Sequence, residues 1–304
     1  MKGILTILSL IGSACGILAA IDVLLKWRKQ LKKNYQPQLS QENRESLTKA
    51  ISTEPVEDAK SQIGERLYEM LDLMNQNRNI KINISELAEF CGYDKTEDLE
   101  KYFFGLEEPN NKVKEKICSD LGVNLQWLKH GKGEPFRSQE AYELYAEDYL
   151  ETIINKCPQE IFFIRSKHED GRACIVLRIN EFKYLLLPSE WNISEHVGST
   201  GQKQIYSFYK LIKGIQNLKS TNYQFQYITI VGNHIEQADF NNLICGKIYP
   251  ESAIKFYNDN WWDDLTDINH AWHYAPSYKK EYGSSFIEAQ EIIKDFENMN
   301  GKNN

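Results

Sequence analysis

The feature that most restricts this chain lies at its start. From Gly3 to Ile21, GILTILSLIGSACGILAAI, no residue is charged, and after Asp22 the apolar run resumes with Val23, Leu24 and Leu25. A helix apolar on every side has no face to offer solvent, and the stretch approaches the ~20 residues that a bilayer-spanning helix requires. The sequence therefore predicts a single membrane span. Lys26, Arg28, Lys29, Lys32 and Lys33 follow the run, whereas only Lys2 and the amino terminus precede it. That asymmetry predicts a single-pass inner-membrane protein with a short outer N-terminus and its bulk in the cytoplasm. A cleaved signal peptide would carry its basic residues ahead of the apolar stretch. Residues 1–33 are thus expected to be an anchor with a basic flank, Trp27 sitting at the interface.

Beyond the anchor, 304 residues leave room for two modest domains. Hydrophobic residues at 41% and charged residues at 26% lie in the ordinary globular range. The formal net charge of −7 excludes indiscriminate binding of nucleic acid or anionic lipid through the whole surface, so any such contact must be local. Six cysteines stand far apart without a CxxC pair, which points to scattered reduced thiols and not to a disulfide or zinc scaffold.

Residues 34–60 are rich in Gln, Asn, Ser and Glu with little apolar periodicity, and read as a polar linker. IGERLYEMLDLMNQN then places Ile63, Leu67, Met70, Leu71 and Met74 at helical spacing. NISELAEFCGY follows, with Ser85 as the expected N-cap and Gly92 where the turn to the next helix wants a positive φ. KTEDLEKYFFGLEEP, NKVKEKICSDLG and VNLQWLKHGKGEPF add three short helical patterns broken at Gly105, Pro109, Gly122 and Gly131. In this order and spacing, residues 62–136 resemble the Cro/CI-type (XRE) helix-turn-helix domain of phage repressors and bacterial regulators, chiefly through IGERL, ISELAEFCGY, the Gly105 to Pro109 spacing and LGVNLQWLKHGKGEPF.

The resemblance implies a compact bundle of about five helices over residues 61–137, with Leu87, Ala88, Leu99, Leu121, Trp127 and Leu128 in its core. It also implies DNA binding, with the third helix in the major groove. That assignment nominates Lys95, Thr96, Glu97, Glu100 and Lys101 for the bases, and Lys112, Lys114 and Lys116 on the next helix for the backbone. The residues themselves pull the other way. The segment from Asp94 to Glu108 also holds Asp98, Glu107 and Glu108, so it is acidic, and a phosphate polyanion draws its affinity from Lys and Arg. One residue more than the common family spacing separates Gly92 from Gly105. A protein-interaction role for the same fold therefore stands beside DNA binding.

From residue 138 onward no family resemblance is found. EAYELYAEDYLETIINK places Tyr142, Tyr145, Tyr149, Leu150 and Ile153 on one expected helical stripe. EIFFIRSKHEDGRACIVLRINEFKYLLLP reads as antiparallel strands turning at Asp170-Gly171, QKQIYSFYKLIKGIQNL as a helix, FQYITIV as a strand and SSFIEAQEIIKDFENM as a closing helix. Residues 138–304 are therefore expected to form an α+β domain. Within DDLTDINHAWH, Asp263, Asp267, His270 and His273 are weak candidates for a metal, since groups one helical turn apart can converge, but the spacing matches no motif with a fixed mechanism. Neither a P-loop nor a GxGxxG is present, and the Ser-Lys dyad of self-cleaving repressors is missing, so no catalytic residue and no cofactor are assigned.

The expected fold class is multidomain: a single transmembrane helix, an all-α Cro/CI-like helix-turn-helix bundle and a C-terminal α+β domain. Two functions fit. One is a membrane-tethered helix-turn-helix transcription regulator of bacterial or prophage origin with a C-terminal sensing or interaction domain. The other is a membrane-anchored phage-defence or interaction protein whose helical domain binds protein and not DNA. The candidate partners are accordingly the membrane, DNA, a protein and a second copy of the chain.

Overall fold

In a computed structural model of the chain, the structure describes residues 56–254, 259–269 and 280–301. The expected span at residues 1–33 lies outside them. No helix among the described residues is long and apolar enough to cross a membrane. The expected fold class is corrected accordingly: the architecture on view is an α+β body with a mixed sheet and a helical segment packed on one of its faces, and these residues belong to one compact unit.

The helical segment has five helices: α1 (Val56–Met74), α2 (Ile84–Phe90), α3 (Thr96–Phe103), α4 (Asn111–Leu121) and α5 (Leu125–His130). On α1, Ile63, Leu67, Met70, Leu71 and Met74 are all buried, so its 3.6-residue period becomes a core-facing stripe. The N-cap of α2 is Asn83 and not Ser85. Asn83 Oδ1 accepts from the Glu86 N–H at 3.0 Å while Glu86 Oε2 accepts from the Asn83 N–H at 2.8 Å, which satisfies two orphan donors at once. Ser85 is left to bond Thr96 across the turn, at 2.9 Å between hydroxyls. Asn110 and Asn124 cap α4 and α5 with one side-chain bond each, accepting from the Val113 and Gln126 N–H, and Gly122 and Gly131 end them in the left-handed conformation. Leu87, Ala88, Leu99, Leu121, Trp127 and Leu128 are buried.

The chain continues through a 3₁₀ turn (Ala146–Asp148) into α6 (Tyr149–Lys156), β1 (Glu160–Ser166), β2 (Arg172–Arg178), β3 (Tyr184–Leu186), β4 (Trp191–Asn192), α7 (Ser199–Thr221), β5 (Thr229–Ile235), α8 (Gln237–Cys245), α9 (Pro250–Ala253), α10 (Trp261–Thr266) and α11 (Ser284–Gly301). The expected aromatic stripe from 140 to 156 is only half realised. Tyr149 and Ile153 are buried, but no helix includes Tyr142, which is 63% exposed. The sheet runs β3-β2-β1-β5, with β4 also paired to β2. β1 pairs antiparallel with β2 and parallel with β5, so a crossover through α7 replaces a further hairpin.

Alternation along the strands divides the core in two. Ile161 and Phe163 on β1, with Ala173, Ile175 and Leu177 on β2, face α6, α7 and α11. Phe162, Ile164, Cys174 and Val176 face the opposite way, into the cluster that also contains Leu67, Leu87, Phe103, Trp127 and Leu128 of the five-helix segment. Phe90 and Phe182 meet edge to face at 4.8 Å across this contact, Phe136 N–H donates to Gly246 O at 2.9 Å, and Arg78 Nε donates to Glu251 Oε2 at 2.9 Å. The expected boundary at residue 137 thus falls inside a continuous core.

A shared core should unfold as a unit. Trp127→Ala is expected to cost on the order of 3–5 kcal/mol, the range for deleting a large buried aromatic. In urea, loss of helical circular dichroism and exposure of Cys174, at the centre of the sheet, should coincide in the parent and shift together in the variant. Helix loss ahead of Cys174 exposure would show that the two halves unfold separately.

Candidate functional site

Two polar regions stand out: the outer face of α3 and α4, and a buried cluster at the end of the parallel strand pair. On the first, Lys95 is the residue before α3 and Thr96 its first, tied to Ser85. Glu97 and Asp98 are exposed and Glu100 half-buried. Lys101 pairs with Glu107 at 3.0 Å, and this bond raises its pKa above the ordinary lysine value. Lys114 is buried and pairs with Glu108 at 2.7 Å; Lys116 pairs with Asp120 at 2.8 Å, one turn on. Of the five nominated lysines, three carry a carboxylate from the same chain. Lys95 and Lys112 are exposed.

Of the four metal candidates, Asp263 and Asp267 lie among the described residues. Asp263 is exposed on α10, where its Oδ1 accepts from Gln216 Nε2 at 3.4 Å, and Asp267 is exposed just beyond the helix. His270 and His273 lie outside the described residues. Among the described residues no group of three or more His, Cys, Asp or Glu is placed to hold a metal ion.

The buried cluster was not singled out in the sequence. The parallel register sets Arg165 beside His234 near the carboxyl ends of β1 and β5, where open α/β sheets commonly form sites. Arg165 Nη1 lies 3.2 Å from His234 Nε2, and His234 Nδ1 lies 2.7 Å from Asp259 Oδ2. A guanidinium can only donate, so Nε2 accepts and the ring proton sits on Nδ1, facing Asp259. Arg165 Nη2 also donates to Ile193 O at 3.3 Å, and the guanidinium lies over the Phe286 ring, 5.2 Å from its centroid. Burial pushes the Arg165 pKa down to about 10, against the opposing pull of Asp259 and Asp170. With both ring nitrogens engaged, His234 holds no lone pair for a substrate. The arrangement is a buried Arg–Asp pair bridged by an imidazole, which ties both parallel strands to the segment preceding α10.

The cysteines divide by exposure. Cys91, Cys118 and Cys174 are buried, and burial raises the thiol pKa of the first two to about 12 and that of the third further; Cys157 and Cys245 are exposed. A raised pKa withholds the thiolate, the reactive form. No protein-family model, curated protein or solved structure matches this chain.

Two measurements follow from this geometry. Brief alkylation of the native protein with peptide mapping should modify Cys157 and Cys245 and spare Cys91, Cys118 and Cys174; labelling of Cys174 at the same rate would contradict the packed sheet. At Gly171, φ is +57°, and an added Cβ would strike Ile193 O and come within 2.7 Å of Arg165 Nη2. At Gly92, φ is +69° and the space is open. Gly92→Ala should cost about 1–2 kcal/mol, the left-handed penalty alone. Gly171→Ala should cost clearly more in the same denaturation assay, and equal costs would mean that the turn at residue 171 yields without disturbing Arg165.

Proposed function

We propose that this chain is an interaction protein of the regulatory or phage-defence kind, whose five-helix segment docks a basic protein surface through the acidic outer face of α3. The observation that carries this reading is the disposition of charge. Between Asp94 and Glu108 there are six carboxylates (Asp94, Glu97, Asp98, Glu100, Glu107, Glu108) against two lysines, Lys95 and Lys101. Non-specific affinity for DNA comes from cations that replace condensed counterions on phosphates. Lys101 and Lys116 would each bring a carboxylate to the duplex, and Lys114 is buried against Glu108. A positioning contact to phosphate is thus opposed at three of the five lysines that the Cro/CI resemblance nominates, while complementarity toward a basic partner is favoured.

The test is a titration of the full chain with mixed-sequence duplex DNA at ~0.05 and ~0.15 M salt, a range over which phosphate contacts declare themselves. The parent should show no saturable binding. Glu97→Lys with Glu100→Lys should introduce salt-dependent DNA binding and weaken binding of an arginine-rich helical peptide that the parent retains. Saturable binding of DNA by the parent at the higher salt, lost in Lys95→Glu with Lys112→Glu, would overturn this reading in favour of a DNA reader.

A further inference from the structure

The five-helix segment and the sheet do not close completely against each other at the end of α4. A cleft of about 240 Å³ remains there, lined by the last turn of α4, the start of α5, residues 136–140 and the edge strand β3. Its floor is formed by backbone contact, since a Cβ at Gly122 would lie 3.1 Å from Tyr184 O. Leu125, Phe136 and Leu185 supply apolar wall. Four charged side chains line it as well: Glu115, Glu140, Arg137 and Lys183.

These charges are not equivalent. Glu140 is paired with Lys156 at 2.6 Å and Glu115 with Lys129 at 3.5 Å. Arg137 and Lys183 have no ion pair or side-chain hydrogen bond among the described residues. Lys183 is half-buried, and burial, assisted by the nearby Lys156 and opposed by Asp120 and Glu140, lowers its pKa from the ordinary value. A partly desolvated ammonium without a direct ion pair gains from an anion brought to it. The carbonyl end of α4 also borders the cleft, but a helix terminus contributes only about half a charge, against two full cations.

We propose that this cleft binds a small organic anion, a phosphate or carboxylate on a compact apolar body, with Arg137 and Lys183 holding the anionic group and Leu125, Phe136 and Leu185 enclosing the rest. The volume falls just below the usual range for drug-sized ligands, which sets the size at about that of a substituted benzene ring. Such a ligand would touch α4, α5 and β3 together, so its binding would strengthen the contact between the helical segment and the sheet. The site is independent of the acidic face of α3, because none of its lining residues lies on that helix.

Isothermal titration of the full chain tests it with three probes: phenyl phosphate, benzoate and uncharged benzyl alcohol. Saturable 1:1 binding is expected for at least one anion, with dissociation constants at or below ~1 mM, and none for benzyl alcohol. The stronger of the two anions identifies the preferred group. Lys183→Gln and Arg137→Gln should each weaken binding about tenfold or more, Lys183→Arg should retain it, and Lys132→Gln, outside the cleft, should leave it unchanged. Unfolding midpoints of all variants report whether the fold is intact, and Lys183→Arg supplies the readout if the glutamine variant does not fold. The proposal is overturned if neither anion binds the parent at ~10 mM, if benzyl alcohol binds as tightly as the anions, or if Lys183→Gln with Arg137→Gln leaves the affinity intact. None of these outcomes depends on whether α3 meets protein or DNA.

Discussion

Strand β1 has no face that can meet water. Every residue from Ile161 to Ser166 is buried, so the strand persists only while both sides of the sheet are covered, as in sheets that carry layers on each face. On one side α7 and α11 do this with Phe208, Ile212 and Phe286; on the other the five-helix segment does it with Leu67, Phe103 and Trp127. The consequence for the helical segment is as important as for the sheet. Its helices of six to eight residues, α2, α3 and α5, are too short to hold together by propensity, and packing against the sheet adds to the core that the bundle makes for itself. A segment that could have been tethered to the rest of the protein by a linker is instead one layer of it.

That layering is not complete along its whole length. Apolar contact between α4 and β3 gives way at Gly122 to the cleft that holds Arg137 and Lys183, and neither cation has a direct ion pair among the described residues. Elsewhere along the same contact three pairs are matched, Arg78 with Glu251, Asn77 with Ser252 O, and Phe136 N–H with Gly246 O, while the buried Tyr249 hydroxyl has no partner among the described residues. Matched groups fix orientation without demanding anything further. Unmatched ones beside an apolar wall are what a binding site requires.

Local signals in the sequence carried much of this. The spacing from Ile63 to Met74, the glycines at the helix ends and the Asp170-Gly171 turn all act within a few residues, and the elements they announce stand where those residues put them. What was illegible is non-local. FQYITIV announces a strand at residues 225–231, but β5 runs from Thr229 to Ile235 through Gly232, Asn233 and His234, which have no apolar alternation of their own. Its parallel register against β1 brings Arg165 and His234 together across 69 residues, and no periodicity reports such a pairing. Ser85 and Asn83 both offer a capping oxygen; the choice falls to Asn83 because Glu86 is then three residues on and can complete the box, while Ser85 gains a partner in Thr96.

The bridged pair at the end of β1 and β5 shows how a chain can bury a guanidinium without building an active site. A carboxylate in direct contact would be the simplest counter-charge, yet no ion pair to Arg165 exists among the described residues; Asp259 acts through the ring of His234. A neutral imidazole accepts on one ring nitrogen and donates from the other, so it links Asp259 to the Arg165 guanidinium and keeps its own orientation fixed by both neighbours. The same engagement that stabilises the buried charge removes His234 from chemistry. A His–Asp contact read from distances alone would suggest a general base; the Arg165 donor on Nε2 assigns it to the framework.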